Sequence, residues 1–212
     1  MRKLFLASTA KDSKTIKDIE EFVGGFVGKK IAYIPTAVNG DKPWYDWRTG
    51  GSAKLVLTLG ADIEFLELEK EEDKNIYKSV EKADIIWVAG GMTGYLMYWF
   101  NRTKLNRVIP ELVVKGKLYV GSSAGIWVCQ EKFTVAEWYI GEPEPGAQIF
   151  KGMGFVSFET YPHYEDHLLS EIKKRWSGGD LYLLKTGEAI TVVGDEIKVI
   201  GEKRILRNGE LI

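Results

Sequence analysis

The chain has one cysteine, Cys129, among its 212 residues, which excludes an internal disulfide and a metal cage built from thiolates alone. That usage fits a reducing compartment, and Cys129 itself is expected to be a buried packing residue. Long apolar runs are missing as well: nothing approaches the roughly eighteen uninterrupted residues of a membrane helix. The basic, then apolar start MRKLFLASTAKDSK turns polar too soon for a signal peptide and reads as a first strand. A cytoplasmic protein without a membrane partner is the expectation. Neither sign of charge dominates, because 29 Lys and Arg meet 30 Asp and Glu for a formal net charge of -1. No global field draws nucleic acid, so any charged substrate must be recognised locally. Histidine is scarce too, and with only His163 and His167 every scheme that needs an imidazole has two candidates.

What is present is apolar content sufficient for a sizeable core, and a length that suits one domain spanning residues 1–212. Short strand-like runs (KLFLAS, KIAYIPTA, ADIEFLEL, ADIIWVAGG, KLYVGSS) alternate with segments whose apolar residues recur at helical spacing, such as SKTIKDIEEFVGGFVG and LMYWFNRTKLNRVIPELVVKG. The alternation predicts an α/β fold with a mostly parallel sheet flanked by helices on both faces. A sixth run, GFVSFETYP, precedes a charged helix, EDHLLSEIKKRW. After it LYLLK, AITVV, EIKVI and KRILRNGELI, separated by turn residues including GD and NG, predict C-terminal antiparallel strands. The stretch QEKFTVAEWYIGEPEPGAQ follows no period and is expected to be an irregular surface segment. Aromatic residues in WYDW and AEWYI suit either a pocket wall or a contact between two copies in a homodimer.

In open α/β sheets, ligands sit beyond the carboxyl ends of the strands. Three loops fall at that edge: AGGMTG, GSSAG and TYPHYEDH. In YVGSSAGIWV, Ser123 stands where a strand turns into a helix, flanked by the small residues that a tight, strained turn requires. Its hydroxyl would project over the sheet, with the amide of Ala124 as one donor to a developing oxyanion and Gly91 of AGGMTG as the candidate second. A serine hydroxyl needs a base to take its proton. His163, held after a strand and a proline, is favoured over His167, which lies within the following helix. The pair HYEDH also admits a zinc site, although the spacing departs from known zinc peptidases. A third group, a carboxylate, would fix the imidazole's tautomer. Asp180 and Asp195 occupy turn positions that need no further explanation, which leaves Glu188 in KTGEAITVV. No cofactor is implied by any of these residues.

The set VAGGMTGYL, YVGSSAGIWV, TYPHYEDH and TGEAITVVGDEIKVIG, in this order, resembles the aspartyl dipeptidase (dipeptidase E) family of serine peptidases, whose fold is like that of class I glutamine amidotransferases. The resemblance covers most of the chain. It implies a small peptide substrate, Ser123 as nucleophile, His163 as base, Glu188 as acid, and the amides of Gly91 and Ala124 as oxyanion donors. Members that cleave after an N-terminal aspartate need a cation for its carboxylate, and Lys173 and Arg175 are the nearest match. The chain departs from the family in Met92 after the glycine pair and in Ile126 and Trp127 after the elbow. Two other readings stay open: a cyanophycinase-like hydrolase, and a non-catalytic protein that holds a small anion or nucleotide on AGGMTG and the helix after Gly125.

Overall fold

The structure is a computed structural model that describes residues 1–40, 46–141, 144 and 146–212. Of the aromatic stretches noted above, Trp44 and Tyr45 lie outside the described residues. So do Pro143 and Pro145 of the irregular segment.

Strand β1 (Lys3–Ala7) leads into helix α1 (Ser13–Val23), then β2 (Lys30–Ile34), α2 (Thr36–Asn39), α3 (Gly51–Val56) and β3 (Asp62–Phe65). Next come α4 (Asp73–Lys82), β4 (Ile85–Val88), α5 (Thr93–Arg102), α6 (Leu105–Val114), β5 (Leu118–Ser122) and α7 (Ala124–Trp127). The remainder is β6 (Glu159–Tyr161), α8 (Leu169–Arg175), β7 (Leu181–Leu183), β8 (Ala189–Val193), β9 (Glu196–Ile200), β10 (Ile205–Arg207) and β11 (Glu210–Leu211). Helix α1 shows how local chemistry sets a boundary. The Asp12 side chain accepts the Thr15 N–H at 2.8 Å, and Gly24 closes the helix in the left-handed region at φ 74°.

The principal sheet has seven strands in the order β3-β2-β4-β5-β1-β8-β9. Its first five are mutually parallel, β8 is antiparallel to β1, and β9 is antiparallel to β8. Alternate residues of one strand serve the two faces. Leu4 and Leu6 pack with Ile86, Val88, Leu96 and Phe100, whereas Phe5 and Ala7 pack with Ile19, Tyr33 and Trp87 on the other side. Burial on both faces explains why these strands read as near-continuous apolar runs.

Because β8 is antiparallel to β1, pairing Ala189 with Ala7, its first residue lies at the edge where β1 and β5 end. Glu188 therefore reaches the rim of the parallel strands from the opposite chain direction.

Two elements differ from the sequence reading. The sixth run does not extend the principal sheet; β6 belongs to a second sheet of four strands in the order β11-β10-β7-β6. The segment from Leu96 to Gly116 is two helices, because Lys104 takes a left-handed φ of 58° between α5 and α6. Cys129 is fully buried, and burial pushes its thiol's pKa up. The NG turn between β10 and β11 has both central residues at positive φ, Asn208 at 51° and Gly209 at 81°, as a tight two-residue hairpin demands.

Candidate active site

Ser123 joins β5 to α7 with φ 50° and ψ -109°, a backbone conformation that costs an L residue about 1–3 kcal/mol unless its surroundings enforce it. They do so through backbone contacts. The Ser123 N–H donates to the Ala7 carbonyl at 3.1 Å, and the Ser123 carbonyl accepts the Ile126 N–H at 2.8 Å. A Cβ added at Gly121 would stand 2.5 Å from the Gly125 carbonyl oxygen, and one at Gly125 would stand 2.4 Å from that of Val88. Those approaches leave room for glycine only. The structure also separates the two adjacent serines. Ser122 Oγ accepts the Ala10 N–H at 3.1 Å, while the Ser123 hydroxyl has no hydrogen-bond partner among the described residues.

The loop after β4 lies against this turn. A Cβ on Gly90 would meet Ser123 Cβ at 3.0 Å, and Gly91 has φ 133° with the Ala37 carbonyl carbon 2.4 Å from where its Cβ would be. The loop is fixed by the Met92 N–H donating to Ala37 O at 2.9 Å and the Ala89 N–H to Ile34 O at 3.0 Å. Among the described residues, the N–H groups of Gly91 and Ala124 donate to nothing within the protein. Two free amides beside a serine at a helix N-terminus can hold a developing oxyanion.

A cavity of about 420 Å³ opens above the turn, lined by Ser123, His163, Gly90, Gly91, Lys11 and the 46–53 segment. His163 follows β6 and Pro162, takes a left-handed φ of 53°, and donates its backbone N–H to Ser8 Oγ at 2.8 Å. Its ring forms no hydrogen bond among the described residues, so the hydroxyl–imidazole bond to Ser123 is not made in this conformation. Burial, and then the nearby Lys11 ammonium, lower the pKa of His163 below its ordinary value. The ring is accordingly neutral at pH 7 and able to accept a proton.

Lys11 and the 46–53 wall escaped the sequence reading, apart from the aromatic signal in WYDW. Trp47 stacks on Phe65 with ring centroids 4.8 Å apart, and Arg48 ties the wall to Asp46 and to the buried Glu67. Among the described residues, Lys11 forms no ion pair.

Glu188 does not reach the imidazole. Its Oε2 accepts the Lys185 N–H and Arg204 Nη1, both at 2.8 Å, and its Oε1 accepts the Glu202 N–H at 3.1 Å. Lys173 and Arg175 lie on α8, away from the cavity; Arg175 Nε donates to Glu171 at 2.7 Å, and its guanidinium sits 5.8 Å from the Trp138 ring centre. His167 is exposed on a single 3-10 turn beside Glu165, and among the described residues no three His, Cys, Asp or Glu side chains gather. The N-terminus of α5, where an anion would rest on AGGMTG, is filled by the chain itself. Glu144 accepts the N–H groups of Thr93 at 2.6 Å and Gly94 at 3.2 Å. Of the AEWYI aromatics, Trp138 and Tyr139 pack on Tyr161, so they brace the segment after β6 and not the cavity wall.

The residues brought together are thus Ser123, His163, Gly91 and Ala124, with Lys11 added. The chain is similar to an uncharacterised peptidase of Listeria monocytogenes, at 29% identity over 204 residues covering 93% of this chain and 97% of that one. It is similar to a Peptidase E of Nostoc sp., at 28% identity over 203 residues, 89% of this chain and 79% of the relative. A crystal structure of a candidate Peptidase E from Listeria monocytogenes superposes with a TM-score of 0.81 at 26% identity, covering 95% of this chain and 99% of that one. The model of peptidase family S51 matches residues 4–200, from β1 to the end of β9, so that both the strained serine and the histidine loop fall inside it and the chain belongs to that family of serine-type peptidases.

Proposed function

We propose that the chain is a serine exopeptidase that hydrolyses dipeptides and other short peptides. Ser123 Oγ attacks the carbonyl carbon while His163 takes its proton. The oxyanion forms against the N–H groups of Gly91 and Ala124. As the C–N bond breaks, His163 returns the proton to the leaving amine. Water, deprotonated by the same imidazole, then releases the acyl group and restores the serine. Glu188 is the acid of this scheme, acting on His163 through the loop it anchors. The observation that carries the reading is Ser123, held in a strained turn with a free hydroxyl, in one cavity with a neutral His163.

The cavity's modest volume supports short substrates. Lys11, beside Ser123 and His163 and without an ion pair among the described residues, supports a substrate carboxylate better than Lys173 or Arg175 does, because they stand elsewhere on α8. An acidic first residue is the natural source of that carboxylate. The test is a dipeptide library comparing Asp and Glu with Asn and Gln as first residue, run beside fluorophosphonate labelling. Wild-type protein should be labelled and should turn over acidic dipeptides. The Ser123→Ala protein should do neither, with its thermal transition nearly unchanged. Hydrolysis that survives Ser123→Ala would sink the proposal.

A further inference from the structure

We infer that the buried hydroxyl of Ser8 is the positioning group for His163; this rests on reading Ser123 and His163 as nucleophile and base. An imidazole's place is set first by its backbone, and His163 holds a left-handed φ of 53° that a non-glycine residue keeps only under constraint. The constraint at its N–H is Ser8 Oγ, which accepts that hydrogen bond at 2.8 Å and donates its own proton to the Leu184 carbonyl at 3.2 Å. Ser8 is 0% exposed. Neither of these partners can be exchanged for water without opening the core.

The turn is closed on its other side by the Tyr164 N–H donating to the same Leu184 carbonyl at 2.9 Å, and by Tyr139 Oη donating to Pro162 O at 3.0 Å. Among the described residues, no side-chain carboxylate takes part. Glu188, which acts on His163 only through the loop it anchors, has both oxygens committed elsewhere, and its connection to Ser8 runs through the backbone, from the Ser8 N–H to Glu188 O at 2.9 Å.

Consecutive residues at the end of β1 thereby index both reacting groups. The Ala7 carbonyl accepts the N–H of Ser123 at 3.1 Å, and the Ser8 hydroxyl accepts the N–H of His163. A second sheet carries the histidine and the principal sheet carries the serine. The Ala7–Ser8 step is where one is registered against the other. Replacing Ser8 by alanine would leave the His163 N–H and one Leu184 acceptor site unsatisfied, and the histidine turn would lose its fixed distance from Ser123.

The experiment compares Ser8→Ala, Ser8→Thr and Ser8→Cys with wild type in the full chain. We expect Ser8→Ala to slow fluorophosphonate labelling of Ser123, and kcat, by about 10- to 100-fold, as small misplacements of reacting groups do. KM should stay within about twofold, since the cavity wall is untouched, a ratio anchored in the split between binding and chemistry. Ser8→Thr, which keeps the hydroxyl, should recover most of the rate. A wild-type rate in Ser8→Ala, or an equal loss in a folded Ser8→Thr, overturns the inference. Should Ser8→Ala fail to fold, Ser8→Cys, with its weaker acceptor, must show the reduced rate or the inference falls. Imidazole NMR separates this from the catalytic reading. Even in a chain that resists labelling, His163 should give one sharp set of ring signals that broadens or moves in Ser8→Ala; an unchanged spectrum rejects the positioning role.

Discussion

The serine side and the histidine side of the cavity are held by different physics. Around Ser123, backbone packs on backbone: Gly121 against Gly125, Gly125 against Val88, and Gly91 against Ala37, all at approaches that exclude a Cβ. Around His163 there is no comparable packing of glycines among the described residues, and the turn hangs on the Ser8 hydroxyl, the Leu184 carbonyl and the Pro162 carbonyl that accepts Tyr139 Oη. Steric enforcement is short-ranged and stiff, whereas a few hydrogen bonds define a position and can yield. The difference teaches that the nucleophile is built as a rigid part of the principal sheet, and the base as an attachment brought to it from the second.

Breaking the buried ion pair on the histidine side should have the largest effect. Arg204 and Glu188 side chains are 8% and 13% exposed, and Glu188→Ala leaves the guanidinium with only the exposed Glu202 carboxylate as partner, at a cost of about 3 kcal/mol, the low end for breaking a buried pair. Denaturant unfolding should register that loss. A stability within 1 kcal/mol of wild type, on a scale where such pairs cost several, would mean that the pair does not hold the histidine side together.

On the serine side, Gly91→Ala drives a Cβ into the Ala37 backbone and displaces one of the two free amides. It should lower kcat about 10²- to 10³-fold, the usual consequence of losing one oxyanion donor. Wild-type turnover in that variant would remove Gly91 from the scheme. Gly125→Ala should cost about 1–3 kcal/mol by overpacking against Val88, seen as a lower thermal midpoint. Ala124→Gly, which adds no atom, should leave the midpoint much closer to wild type and calibrate that steric argument.

The smallest effect sharpens the comparison from the charge side. Burial first, and Lys11 second, depress the pKa of His163. The base works only when neutral, so the acid limb of kcat/KM reports this pKa in the free enzyme. Lys11→Met removes the like charge and leaves the burial. The His163 pKa then rises, protonation sets in at higher pH, and the acid limb moves upward. A pH profile that stays in place would show that Lys11 does not act on the base.

Much of this site could be read in the chain itself. GSSAG between an apolar run and helical spacing announces a turn of small residues, and only tertiary contact adds that Ser122 is occupied by Ala10 while Ser123 is free. The strand and proline before His163 favour it over His167, and the structure puts His163 in the cavity with His167 in solvent. Glu188 stood out as a glutamate that no turn requires. It does have a buried partner, but that partner is Arg204, sixteen residues on, and no local pattern marks so distant a pairing. The charged run that holds Lys173 and Arg175 reads as a cation source, yet its Lys174 and Arg175 pair with Glu171 one turn earlier in the same helix, where charges at that spacing meet as a matter of course.

By itself the sequence determined the order of strands and helices, the rim on which chemistry could sit, and the glycines beside the elbow, because periodicity and positive φ are properties of neighbours along the chain. Tertiary structure alone decided that β6 joins a second sheet, that Lys11 enters the cavity, and that Ser8 meets His163 across 155 positions of sequence. Hydrogen bonds and desolvation depend on which atoms are close in space, and closeness of that kind is settled only when the core has closed.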